Sequence, residues 1–314
     1  MKKIVEKVVC ILLILICCLP LVSGSSDDAQ SVSCPYPLRQ LTMYDEKTGW
    51  ALSMENEILF TENGIGHFEP VRSLENADSA SDRFASAAFL DQRTAYTACF
   101  SFDDNQLIVE RTQDSGASWQ QTFIDFADYA DICDVGSIFL SFIDNQQGYL
   151  LCCSTPAAGL MTKLLFFTDN AGKTFYFISD LTNIIAGYPQ GITAVSEGQL
   201  YIAVTYHGID ACLYQSSDSA RTWKRVEIFP RTEDVRYVDG YAPIFYDSGG
   251  QTGTILLNVR KEQAVCQLYT TKDAGDNWTL ERELPCDTPL SYSIDNSSRI
   301  YVIDQDGKVF IFHP

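Results

Sequence analysis

Short runs rich in Val, Ile, Phe, Tyr and Thr, broken by Gly, Asn, Asp and Ser, follow one another along almost the whole chain. Alternation of this kind buries one side of an extended strand, and the 3.6-residue period of an amphipathic helix is absent. The runs fall into groups of four; in one of them the expected strands are 136–143, 148–153, 164–168 and 175–179. The second strand of successive groups carries an aromatic at one place, as Trp50, Tyr96, Tyr149, Tyr201 and Tyr301. Polar turns at 45–48, 91–94 and 144–147 precede it, each opened by an Asp suited to a tight hairpin.

A second punctuation mark follows the third strand of each group. Thr271 to Trp278 reads Thr-Lys-Asp-Ala-Gly-Asp-Asn-Trp, with related versions at 112–119, 168–175 and 216–223 and a worn one at 61–68. The spacing of about fifty residues lies in the range of propeller blades. In such a turn Asp114, Asn170, Asp218 and Asp273 are expected to accept backbone hydrogen bonds, and Gly116, Gly172 and Gly275 to supply a positive φ, with Ala220 in the corresponding place of the fourth copy. Trp119, Phe175, Trp223 and Trp278 are expected to pack between sheets as core. These acids and indoles are therefore read as structural rather than catalytic or sugar-stacking.

The expected fold is all-β: a six-bladed β-propeller of four-stranded antiparallel blades, with units beginning near Leu41, Phe84, Gly136, Gly191, Tyr241 and Thr288. The last unit has three strands, 290–294, 299–303 and 309–313, so the ring is expected to close by an N-terminal strand joining the last blade, supplied by 36–40. On that closure Cys34 and Cys286 become a candidate disulfide.

The pattern Ser/Thr-x-Asp-x-Gly-x-Thr/Ser-Trp resembles the Asp-box, or BNR repeat, of propellers in the sialidase-like superfamily. The Gly-Trp and Tyr strands before it are closest in style to photosystem II stability and assembly factor-like and sortilin-like exported propellers. The resemblance implies a non-catalytic binding or assembly module for a protein or glycan ligand, with the boxes at the outer rim. It also implies an alternative, a sialidase-like glycoside hydrolase on the same scaffold, using three Arg, a Tyr–Glu nucleophile pair and an Asp. The early Phe/Tyr-Arg-x-Pro signature of that group and a recognisable Tyr–Glu pairing are absent here.

Charge and cysteine narrow the picture. A net charge of -19 disfavours nucleic acid and anionic lipid as partners. Lys2, Lys3 and Lys7, the apolar run 8–22 and the small residues Ser23 and Gly24 read as a signal peptide over 1–24, with a flexible leader at 25–33 and a single propeller domain at 34–314. The protein is thus expected to be a secreted or extracytoplasmic monomer at a bacterial cell surface, touching a membrane only through an uncleaved signal segment. Cys34, Cys99, Cys133, Cys152, Cys153, Cys212, Cys266 and Cys286 form an even set that permits disulfides. The three His stand far apart and no Cys-x-x-Cys occurs, so neither a metal nor a cofactor is expected. The face opposite the boxes gathers the loops 76–83, 125–135, 180–190, 206–210, 229–240 and 260–263. Its candidate ligand-binding residues are Tyr188, Tyr206, His207, Arg236, Tyr237 and Arg260, with Tyr129 beside them.

Overall fold

The computed structural model describes residues 29–74, 85–126, 135–205, 212–229, 234–247, 249–286 and 288–314. The expected signal peptide lies outside them. Strand β1 (Gln30–Val32) is followed by a first sheet of β2 (Leu38–Met43), β3 (Gly49–Ser53), β4 (Glu57–Thr61) and β5 (Glu69–Ser73). A second comprises β6 (Ala85–Phe89), β7 (Ala95–Ser101), β8 (Gln106–Thr112) and β9 (Gln120–Asp125). A third comprises β10 (Ser137–Phe142), β11 (Gly148–Cys153), β12 (Lys163–Thr168) and β13 (Tyr176–Asp180). Each is antiparallel and runs in chain order.

The next nine strands form one curled sheet. Its first half is β14 (Tyr188–Ala194), β15 (Leu200–Thr205), β16 (Cys212–Ser216) and β17 (Lys224–Glu227). Its second half is β18 (Tyr237–Gly240), β19 (Ile244–Phe245), β20 (Gly253–Arg260), β21 (Ala264–Thr271) and β22 (Thr279–Leu284). Both β18 and β19 lie on β20, because Pro243, which has no N–H to give a ladder, interrupts what would be one inner strand. The halves meet where Thr205 of β15 pairs with Asp239 of β18. Six separate blades are therefore not what the hydrogen bonding shows: four four-stranded sheets stand beside one nine-stranded sheet among the described residues.

The last sheet is β23 (Ser291–Ile294), β24 (Ile300–Ile303), β25 (Val309–Phe312) and, as its outermost strand, β1, with Val32 opposite Val309. An N-terminal strand does join the last sheet, but it is Gln30–Val32 and not 36–40; Leu38, Arg39 and Gln40 instead begin the inner strand of the first sheet. Residues 30–32 thus belong to the fold rather than to a leader. Cys34 and Cys286 are both free thiols, so the candidate disulfide is not formed; Cys34 packs on the cluster of Leu38 and Tyr301, and Cys286 on that of Leu284 and Phe312.

The core is a succession of apolar layers between neighbouring sheets. Tyr96, Phe100 and Leu107 meet Ile138, Leu150 and Phe166, while Tyr201 and Leu213 of one half of the nine-stranded sheet meet Val238, Ile255 and Leu257 of the other. Leu41, Ala51 and Leu59 meet Tyr301, Ile303 and Val309, so the first and last sheets are neighbours and the succession closes on itself. The recurrent second-strand aromatics bind the ring. Trp50 Nε1 donates to Asp91 O at 3.0 Å, Tyr149 Oη to Glu197 O at 2.8 Å and Tyr201 Oη to Ala274 O at 2.6 Å, each reaching a turn of the following unit. The hairpin turns before them are closed as expected: Asp45, Asp91 and Asp144 each accept two backbone N–H bonds from residues two and three further on.

Candidate functional site

Two kinds of polar assembly stand at opposite ends of the strands. At one end are the recurrent turns between third and fourth strands. In the copy at 271–278, Asp273 Oδ1 accepts from Thr271 Oγ1 and Asn277 N, both at 2.9 Å, while Asn277 Nδ2 donates to Oδ2 at 2.7 Å. Gly275 N donates to Thr271 Oγ1 at 2.9 Å, and Trp278 Nε1 folds back onto Gly275 O at 3.0 Å. The same bonds recur around Asp114 with Trp119 and around Asp218 with Trp223, and Asn170 fills the acid's place in the third copy.

Hydrogen bonds from the side chain four residues on hold the Asp114, Asp218 and Asp273 carboxyls below the usual carboxylate range. Backbone φ is positive at Gly116, Gly172 and Gly275, and Ala220 accepts a φ of 65° in the fourth copy. The worn first copy folds instead as a short 3-10 turn, Ile65–His67. Trp119, Phe175, Trp223 and Trp278 pack against the apolar layers as half-buried lids at their edges.

The other end holds a cluster at the seam of the nine-stranded sheet. Register places it: Tyr188 pairs with Thr205, Thr205 with Asp239, Asp239 with Asn258, and Tyr237 with Arg260. Residues two apart on a strand share a side, so Tyr237 and Asp239 on β18 face the same way as Arg260 and Asn258 on β20. The Arg260 guanidinium lies 5.5 Å from the Tyr237 ring centroid, within cation–π range, and Nη2 donates to Thr288 Oγ1 at 3.1 Å. Thr205 Oγ1 donates to Asp239 Oδ1 at 3.0 Å and Asn258 Nδ2 to Oδ2 at 3.4 Å. Burial raises the Asp239 carboxyl above its ordinary range, outweighing the Thr205, Arg260 and Asn258 contributions that lower it. Asn258 Oδ1 and Arg260 Nε are buried without a hydrogen-bond partner.

Of the expected binding residues, Tyr188, Tyr237 and Arg260 stand at this end of the seam. Arg236 is exposed beside them and donates its backbone N–H to Arg260 O at 2.8 Å. Tyr206 and His207 follow Thr205 directly but lie outside the described residues, as do Tyr129 and the loop 76–83. Sequence reasoning missed Thr205, Asp239, Asn258 and Thr288. Only Asn258 carried a signal, as an amide inside the apolar run Ile255-Leu256-Leu257-Asn258-Val259.

The sheet arrangement defines a class of protein, the all-β propeller built of antiparallel strands, and the comparisons with known proteins agree. No protein-family model and no curated protein matches the chain. Among solved structures, YCF48 bound to a D1 peptide superposes with a TM-score of 0.52 at 13% identity, over 91% of this chain and 95% of that one. The SapL1 lectin in complex with alpha methyl fucoside gives 0.52 at 10% identity, over 88% of each chain. The GH74 xyloglucanase from Xanthomonas campestris gives 0.52 at 14% identity, over 87% of this chain but only 44% of the enzyme. At such identities the likeness is one of fold.

Proposed function

We propose that the chain is an exported Asp-box propeller of the sialidase-like kind, six-bladed when β14–β17 and β18–β22 are counted as two blades. In this reading it is a non-catalytic module that binds a protein or glycan at the Tyr237–Arg260 cluster. One observation carries the reading: an aromatic face, a carboxylate, and two unpartnered buried polar atoms, Asn258 Oδ1 and Arg260 Nε, meet at the end of the strands opposite the turns. An unpaired buried donor or acceptor costs about 1–3 kcal/mol, so a ligand that displaces the side chains covering the cluster and offers a donor to Oδ1 and an acceptor to Nε gains what the fold leaves unmade. Sugar hydroxyls and peptide backbones both offer the two together. A lectin and a peptide-bound factor among the structural neighbours support a binding role at the level of fold.

Screening against a glycan array and a peptide library, followed by calorimetry, tests this. Arg260→Ala and Tyr237→Ala are each expected to weaken the ligand found by about tenfold or more while keeping Tm. Unchanged affinity in both variants overturns the assignment. The raised Asp239 carboxyl also suits a general acid. Glycoside hydrolysis, however, needs two carboxyl groups about 5–9.5 Å apart, and Asp239 is the one carboxylate in the cluster among the described residues. Turnover of fluorogenic sialosides or other glycosides that disappears in Asp239→Asn would establish the enzyme reading instead.

A further inference from the structure

We propose that β13 is the pairing edge of a homodimer, in which two copies join antiparallel through residues 174–180. The outermost strands of a ring of sheets present edge N–H and C=O groups to any passing chain, and proteins guard such edges with charges and prolines. Here the guarding is uneven. Strand β5 carries Glu69, Pro70 and Arg72; β17 carries Lys224, Arg225 and Glu227; and β22 carries Glu281, Arg282 and Glu283. By contrast β13 reads Tyr176-Phe177-Ile178-Ser179-Asp180, guarded only by Asp180 and a bulge at Ile178, and its first three residues are 51%, 43% and 40% exposed; β9, with Asp125 as its one charge, is lightly guarded too but exposes a single large apolar residue, Phe123. Half of the large exposed apolar side chains described, Leu160, Tyr176, Phe177, Ile178 and Ile184, belong to this one sheet and its connections.

The charges at the ends of the strand point to a second copy as the occupant. A two-fold axis at Phe177 sets Tyr176 of one copy beside Ile178 of the other, the residue at which β13 bulges against β12, so that an aromatic and a β-branched side chain meet across the join. The same axis sets Asp180 opposite Thr174, beside Lys173 of the other copy. Lys173 and Asp180 are both exposed, so each copy brings an ammonium to the other's carboxylate at both ends of the ladder. The net charge of -19 repels two copies at long range. Salt shortens that repulsion to about 8 Å at physiological ionic strength and leaves the apolar ladder intact. A strand of this length buries less than the roughly 1,200 Å² of a stable interface, so a dimer in the micromolar range or weaker is expected.

Sedimentation velocity over a micromolar concentration series at two salt concentrations tests the proposal. The expected result is a monomer–dimer equilibrium that tightens as salt rises. In Ile178→Lys, an exposed site whose folding is checked by circular dichroism, the dimer is lost. Lys173→Asp weakens it several-fold, and Lys173→Asp combined with Asp180→Lys restores it. Backbone amide exchange in 174–180 slows with concentration in the native protein and not in Ile178→Lys. A monomer at every concentration and salt overturns the proposal, as does a dimer that survives Ile178→Lys or one that loosens as salt rises. Capture of a heterologous strand on β13 without self-association overturns it equally.

Discussion

The turns at the rim and the cluster at the seam are built from the same kinds of residue, yet they differ in reach and in completeness. A turn such as 271–278 closes within eight residues, through bonds between groups two to four positions apart. The seam gathers Tyr188, Thr205, Asp239, Asn258, Arg260 and Thr288 from five separate stretches of chain. In the turns the carboxyls are fully engaged and pulled below their ordinary range, whereas Asp239 is pushed above it beside two unpartnered polar atoms. Polar groups at the rim are consumed in holding the fold; those at the seam are incompletely satisfied by it.

The sharpest way to break this contrast is to show that the rim does not carry stability. Trp50, which is fully buried and tied to the next unit through Asp91 O, is expected to cost about 3–5 kcal/mol on truncation to Ala. Trp278→Ala, at a half-buried lid, is expected to cost less than Trp50→Ala. Denaturant unfolding measures both, and an unchanged midpoint in either contradicts the packing role.

The next effect is one of acid sensitivity. The folded-state pKa of Asp273 is depressed, so its contribution is present above the unfolded value of about 3.9 and is lost as pH falls through the folded value. Asp273→Ala should therefore lower Tm at pH 7, with the difference shrinking below about pH 4, whereas Asp273→Asn should do much less harm, since Asn170 already serves in the third turn. Asp239 carries the opposite sign. Its folded pKa is raised, so its contribution is present below the unfolded value and lost as pH rises through the folded one. Asp239→Asn is expected to leave Tm unchanged or higher at pH 7, with the difference vanishing in acid; a marked loss of Tm would move the seam into the same category as the rim. The smallest effect concerns thiols. In the unreduced folded protein, iodoacetamide followed by mass spectrometry should label Cys34 and Cys286, while Cys153, buried and pushed up to about 12, should react only after unfolding.

Locality also explains what was legible in the sequence. The expected strands 136–143, 148–153, 164–168 and 175–179 lie within two residues of Ser137–Phe142, Gly148–Cys153, Lys163–Thr168 and Tyr176–Asp180, because each boundary is set by hydrogen bonds inside a few residues. The closing strand was misplaced for the converse reason. Gln30-Ser31-Val32 is short and mostly polar, with no period to read, and its strand conformation depends on Phe310 and its neighbours at the far end of the chain. The union of the fourth and fifth units was hidden in the same way, resting on one pairing between Thr205 and Asp239. Tyr237 and Arg260 stood out by residue type, while Asp239, in Val-Asp-Gly, looked like an ordinary turn.

The pairing of Val32 with Val309 has a kinetic corollary. During synthesis the residues destined for the outer strand of the last sheet emerge long before the segment that receives them, and contacts of such large sequence separation are slow to form. Until that final segment arrives, the sheets already made can stack only as an open arc with two raw ends. Completion of the circle is thus a late event in maturation, and removing residues 30–32 strips the outer strand from the last sheet, exposing the edge of β25, while Leu41 and Leu59 still pack on Tyr301 and Val309 to close it.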